Sequence, residues 1–454
     1  MKLTVIVPLI IIVISVSGAF FSADDSQRWI SVVLSMVIAS TVFYTLLFRD
    51  ITLLFVTFFV ANHIVQYAFY ARVNFIAIFF LFSPLILYIK KPTKSYPLVY
   101  AVLAFALYYT LVFVLRPFTL NFNWFLLHLE ALAIFTITYF CFWDFSRVRK
   151  VLLLHLVVLI AYGLLEMVFT PSGYRIRGPV FSSTAFAVLL VVVWSCWVCM
   201  EIFKNPSKYS RIAIVSALAT VVMVASGTRM SVFGIAFTLL LILFIRNVAN
   251  DNGWGIKKVV QFLASALMLF VLFLAIWHIL PDDLVIKNNF DMILRGEVDE
   301  SNFGRLIVWY TALQAFLEYP VWGLGNGNFQ QYLQNYFSAF PIESPHFSLI
   351  HAHNIFLITL SENGAVGFIL LATLVIMAIV GVVKYLRSQN SDMQMYGLPV
   401  GLIILFALGL FDSIPLYPAT LSWGAWFLAV MFKLPIDSQI DGTNDEIALI
   451  QKQC

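Results

Sequence analysis

Apolar runs long enough to cross a membrane recur along nearly the whole chain, and they decide the kind of fold before any single residue is considered. They lie at 3–20, 29–48, 51–71, 74–89, 96–115, 124–143, 151–170, 180–203, 212–228, 230–245, 259–280, 355–383, 396–411 and 420–432. A helical crossing needs about 20 apolar residues, so these runs predict twelve to fourteen spans once the shortest are allowed to be re-entrant. Composition agrees: 62% of residues are hydrophobic and 11% charged, against roughly 45–50% and about 25% in soluble domains. A water-soluble fold is excluded. The expected class is all-α, a polytopic membrane helix bundle with one large outer loop containing short helices.

The runs divide the chain into helices of 1–170, a second helical block of 171–280 with outward-facing arginine motifs, a loop of 281–354, C-terminal helices of 355–433 and a polar tail of 434–454. With the N-terminus in the cytoplasm, eighteen of the 27 lysines and arginines fall on the inner side, as the positive-inside rule requires. The net charge of +4 is spread in small clusters, so no basic stripe could follow a nucleic-acid backbone. Cys196 and Cys199 form a C-x-x-C inside VVVWSCWVCM and are expected to be small apolar helix residues rather than a redox pair.

Nine basic residues fall outside against the orienting bias and need another reason to be there. Arg229, in ASGTRMSVFG, stands between two apolar runs. It reads either as an arginine snorkelling to the interface or as a fixed cation whose planar fork of donors suits a phosphate. Arg305, in SNFGRLIVWYTALQAFLEYPVWGLGNGNF, opens an amphipathic pattern with Leu306, Trp309, Leu313 and Phe316 at helical spacing, expected to lie at the interface. Gly323, Gly325 and Gly327 follow Pro320 without a strand before them or a lysine after, so a tight turn is expected rather than a nucleotide loop. In HAHNIFLITLSENGAVG, His353 and Asn354 stand where the loop meets an apolar helix; Glu362 lies farther along it, and Gly364 and Gly367 allow close helix contact. The imidazole is placed either to take a proton near neutral pH or to serve as a hydrogen-bonded structural residue. His351 and His353 do not predict a metal site, since residues two apart point to different sides of a helix.

Taken together, His353, Asn354, Gly364 and Gly367, preceded by GRLIVW with Arg305 and by SGTR with Arg229, resemble the O-antigen ligase and polymerase superfamily of bacterial membrane proteins over about 175–383. The resemblance implies a GT-C-like, metal-independent, inverting glycosyltransferase of the bacterial inner membrane, needing no cofactor, with its site facing the periplasm. Its partners would be an undecaprenyl-diphosphate-linked glycan as donor, a lipid A core sugar or another glycan as acceptor, and the bilayer. By the same resemblance, Arg229 and Arg305 hold the donor diphosphate and His353 activates the acceptor hydroxyl. Arg175 and Arg177, in RIRGPVFSST, match a looser donor motif in which Phe181, Ser182, Ser183 and Thr184 replace the usual Asn-Pro-Asn. Asn354, Trp309 and Glu362 complete the expected substrate-binding set, and the loop aromatics Trp322, Tyr332 and Tyr336 join Trp309 as candidates to meet the acceptor.

Ligase and polymerase differ only in that acceptor, and the complete His-Asn to Gly-Gly pattern favours a ligase. Two other readings compete. A lipid-linked glycan transporter would usually show internal pseudo-symmetry, and none is visible. A metal-dependent sugar transferase would rely on Asp24 and Asp25 of the first outer loop.

Overall fold

The computed structural model describes residues 97–115, 128–136 apart from 133, 145–169, 175–177, 182–204, 209–249, 300–338, 352–387, 396–410 and 424–429, with a few single positions between 260 and 271. The predicted spans at 3–20, 29–48, 51–71 and 74–89, Asp24 and Asp25, and the tail lie outside them. The described residues are all-helical: α1 (Pro97–Leu115), α2 (Phe145–Phe169), α3 (Ser183–Lys204), α4 (Tyr209–Ala225), α5 (Arg229–Ala249), α6 (Glu300–Glu318), α7 (Phe329–Ser338), α8 (Ile355–Arg387) and α9 (Gly397–Gly409). Four of them, α2, α3, α5 and α8, are long and apolar enough to cross a bilayer. The protein is a polytopic helical membrane protein.

The axle of the bundle is α3, whose sequence STAFAVLLVVVWSCWVCMEIFK is apolar on every side. A helix of that kind must be surrounded by protein or lipid, and here protein surrounds it: every residue from Ala185 to Glu201 is buried. Helices α2, α4, α5 and α9 pack around it. Lipid offers no hydrophobic penalty to separation, so helix association depends on close packing and interhelical hydrogen bonds. Both are present. Gly397 of α9 lies against the Cys196 carbonyl, where a Cβ would collide. Ser195 Oγ and Thr238 Oγ1 meet at 2.6 Å between α3 and α5, and the Trp194 indole donates to Ser216 Oγ of α4 at 3.0 Å. Cys196 and Cys199 are buried free thiols within this core. Leucines, isoleucines and valines on the outer faces of α2, α4 and α8, such as Leu165, Ile214 and Ile376, stay exposed, as a lipid-facing surface requires.

The chain order brings one end of the bundle together. The end of α2, the residues before α3, the α4–α5 turn, the start of α8 and the end of α9 share it, the last two joined by a hydrogen bond from Asn354 Nδ2 to the Leu410 carbonyl at 2.9 Å. We call it the arginine end. Arg149, Lys150, Arg211, Arg246 and Arg387 belong to helix ends that lie opposite.

Candidate functional site

The turn Ser226–Thr228 reverses the chain between α4 and α5. Gly227 turns it with φ 65°, a left-handed conformation that an L side chain disfavours. The buried hydroxyls of Ser226, Thr228 and Ser231 bond to one another and to local carbonyls: Ser226 Oγ donates to the Met223 carbonyl and Ser231 Oγ to that of Thr228, each at 2.6 Å. With its polar atoms satisfied internally, the turn places Arg229 as the first residue of α5, half-buried, where the helix end adds partial positive charge.

Beside this turn, the Ile176 amide donates to the Ala225 carbonyl at 3.5 Å and the Ile176 side chain is buried. Arg175 and Arg177, its neighbours on either side, are exposed. The Arg175 side chain crosses Gly227 so closely that a Cβ there would sit 3.2 Å from its Cγ. Arg177 is anchored through its backbone amide to Glu166 Oε1 at 3.0 Å. Arg305 stands on α6, half-buried, and both Arg305 and Arg175 lie near enough to repel the charge of Arg229. Three guanidinium groups from three parts of the chain therefore face one region. An anion placed among them would relieve their mutual repulsion.

His353 adjoins the helix that packs on Arg305's helix. Val308 and Ala312 of α6, Phe329 and Leu333 of α7, and Ala352 and Ile358 at the start of α8 form one small core, so the residue before His353 and the turn after Arg305 belong to the same packed unit. His353 is the one described non-glycine residue with positive φ, at 46°, a conformation that costs about 1–2 kcal/mol and persists only where the surroundings fix it. Asn354 helps to fix it. Its Oδ1 accepts from the amides of Phe356 and Leu357 at 2.9 and 3.0 Å, as an N-cap does, while its Nδ2 holds Leu410. Trp309 is half-buried, and its enclosed Nε1 meets no acceptor among the described residues.

The Gly-Gly part of the motif has a different explanation from the expected helix contact. Gly367 does permit one, since a Cβ would lie 3.1 Å from the Tyr108 ring of α1. Gly364 instead breaks α8, with φ 63° and ψ −165°. The break frees backbone groups, and the segment PVWGLG takes them up. The Ala365 amide donates to the Pro320 carbonyl at 2.8 Å; the Leu324 and Gly325 amides donate to the carbonyls of Ser361 and Glu362 at 2.9 and 2.8 Å. The two backbones touch, so a Cβ on Gly364 would collide with the Val321 carbonyl and one on Gly323 with the backbone of Glu362. Gly323, Gly325 and Gly327 all have positive φ, as a tight turn demands. The buried Glu362 closes the junction: Oε1 accepts from the Phe329 amide at 3.3 Å, and the carboxylate also takes the Gly327 amide.

The structure thus gathers Arg175, Arg229 and Arg305, sets His353 beside the same unit, and directs the polar groups of Asn354 and Glu362 toward backbone. The spacing from Asn354 to an apolar helix carried a capping signal, but the partners of Glu362 are distant in sequence and gave none.

The described residues thus form a membrane helix bundle with Arg175, Arg229 and Arg305 near one end. Residues 214–372, from within α4 to within α8, match the family model described as O-antigen ligase. The match contains Arg229, Arg305, Trp309, His353, Asn354 and Glu362, whereas Arg175 and Arg177 precede it. A search of curated proteins returned no match to the chain.

Proposed function

We propose that the protein is an O-antigen ligase-type glycosyltransferase, which moves a glycan from undecaprenyl diphosphate to a sugar hydroxyl of the lipid A core. The observation that carries this reading is the convergence of Arg175, Arg229 and Arg305. As the bond between sugar C1 and the phosphate oxygen breaks, negative charge gathers on the leaving diphosphate. Guanidinium groups already in place hold that charge more tightly late in the reaction than early, which lowers the barrier. The acceptor oxygen forms its bond to C1 from the opposite face, inverting the centre, and its proton passes to the His353 imidazole. Charge stabilisation of the leaving group is supplied by arginine, so the reading requires no divalent cation.

The basic helix ends opposite the cluster, with Arg149, Arg211, Arg246 and Arg387, favour a cytoplasmic location for that end. The arginine end then faces the periplasm of a bacterial inner membrane.

Reconstitution with purified lipid-linked glycan and core acceptor tests the proposal. New glycosidic linkage to core, persisting in a chelator, is expected; movement of donor between leaflets without linkage would mark a transporter, and extension of the donor glycan a polymerase. Arg305→Ala should slow transfer by about 10³-fold. His353→Ala should remove a general base worth about 10²–10⁴-fold and leave faint residual activity. Normal transfer by both variants at matched expression would overturn the roles assigned.

A further inference from the structure

The outer surface of α6 and α7 carries a second arrangement that the arginines do not explain. Helix α7, FQQYLQNYFS, has no charged residue. Phe329 and Leu333 are buried, while Gln331, Gln334 and Asn335 are exposed, so its free face is made of neutral amides and phenols. The Tyr332 and Tyr336 rings stack at 6.3 Å with an interplanar angle of 25°. Tyr336 hydrogen-bonds with Tyr310 of α6, which is 54% exposed, and Glu318 stands beside the Tyr332 hydroxyl. Burial, then the Glu318 carboxylate, push the Tyr332 phenol up from its ordinary value; its Oη is enclosed, so what Tyr332 offers outward is its ring.

We propose that Tyr310, Tyr332, Tyr336 and Glu318, with the amides of Gln331 and Gln334, form a binding subsite for a neutral oligosaccharide, separate from the arginine cluster. Aromatic faces cover the apolar faces of sugar rings, while amides and one carboxylate supply acceptors and donors for hydroxyls without the cations that would select an anion. A phosphate or an anionic lipid headgroup is disfavoured there by Glu318. Position fits as well. Leu306, Leu313 and Leu317 form an exposed apolar stripe on α6 beside Tyr310, so the tyrosines border the lipid-facing surface where a membrane-anchored glycan emerges into water. Glu318 is thirteen residues beyond Arg305, a helical rise of about 20 Å, so sugars distant from the reacting bond would be held here. This inference rests on the glycan-transfer reading and names where the glycan chain lies.

Calorimetry on the full-length protein in nanodiscs tests it with two probes: oligosaccharide released by mild acid from the host's lipid-linked glycan, and inorganic pyrophosphate. Tyr310→Ala and Tyr336→Ala are each expected to weaken oligosaccharide binding about three- to tenfold and leave pyrophosphate binding unchanged, with Arg305→Ala doing the reverse. Tyr336→Phe, which keeps the ring and cannot disturb folding through lost volume, should retain most of the binding. Unchanged oligosaccharide affinity in both alanine variants, or no oligosaccharide binding by the wild type, overturns the subsite and would leave the tyrosines as an interfacial belt. Oligosaccharide binding through the tyrosines without any pyrophosphate binding would keep the subsite and sink the transferase reading instead.

Discussion

Around α3 the helices are joined by side chains, whereas at the arginine end the segment that follows α6 is also joined to α8 by backbone hydrogen bonds. In the first region each helix satisfies its own amides and carbonyls, and contact is made by valines, small residues and single hydroxyl pairs such as Ser195 with Thr238. In the second, α8 breaks at Gly364 and its released groups are taken by residues 320–325, with the Glu362 carboxylate holding the amides of Gly327 and Phe329. Broken helices survive at membrane depth only where protein covers the break. The difference shows where the molecule spends its rigidity: packing suffices to assemble spans, but the unit that carries Arg305 and adjoins His353 is locked by directional bonds that do not slide.

A methyl group added at each kind of contact should separate the two regions most clearly. Gly364→Ala would hold an alanine at φ 63°, ψ −165°, an essentially glycine-only conformation costing about 1–3 kcal/mol, and would drive a Cβ into the Val321 carbonyl, which cannot rotate away. We expect a total loss of about 3–5 kcal/mol in detergent unfolding, with transfer activity abolished. Gly163→Ala, whose Cβ would meet the Val222 and Phe186 side chains, is the matched control in the packed region and should cost about 1–3 kcal/mol. Equal effects would show that the backbone junction is no more rigid than ordinary packing.

Glu362→Ala leaves the Phe329 and Gly327 amides without their acceptor in a buried place, a loss of about 2 kcal/mol, whereas Glu362→Gln keeps a carbonyl oxygen there and should lose less than half as much. Thermal unfolding of the two variants decides whether the carboxylate acts as a hydrogen-bond acceptor or through its charge. If Gln is as damaging as Ala, the charge of Glu362 rather than its acceptor oxygens holds the junction.

These tests also mark what the sequence could reveal. The bundle was legible because lipid imposes a simple rule, long apolar runs, and α2, α3, α4 and α5 begin and end within a few residues of the runs at 151–170, 180–203, 212–228 and 230–245. The turn at Gly323, Gly325 and Gly327 was legible from glycine spacing. Arg229 and Arg305 stood out because charge outside the expected side needs a reason. The run at 355–383 gave no sign of its break, since hydropathy does not register backbone conformation and glycine in a membrane helix more often marks close packing. Glu362 and Asn354 looked like ligand groups because their true partners, the 327 and 329 amides and the Leu410 carbonyl, are brought to them only by the fold. The apolar pattern of α6 was visible too, but its side was not: Leu306 and Leu313 face outward, while Val308, Ala312 and Ala315 face protein.

The smallest contrast compares one hydrogen-bonding side chain from each region. Ser195→Ala removes one bond between α3 and α5 where the unfolded-in-membrane helix would find another partner, so about 0.6 kcal/mol is expected. Asn354→Ala removes the cap of α8, worth about 1 kcal/mol, together with the tie to α9, and releases the left-handed backbone at His353. Its effect should therefore be felt more in transfer than in stability. Asn354→Asp keeps the acceptor for the Phe356 and Leu357 amides and loses only the donor to Leu410, which separates the two duties. If Asp restores stability and activity together, the cap alone holds His353 in place; if stability returns while transfer stays low, the end of α9 is part of what aims the imidazole.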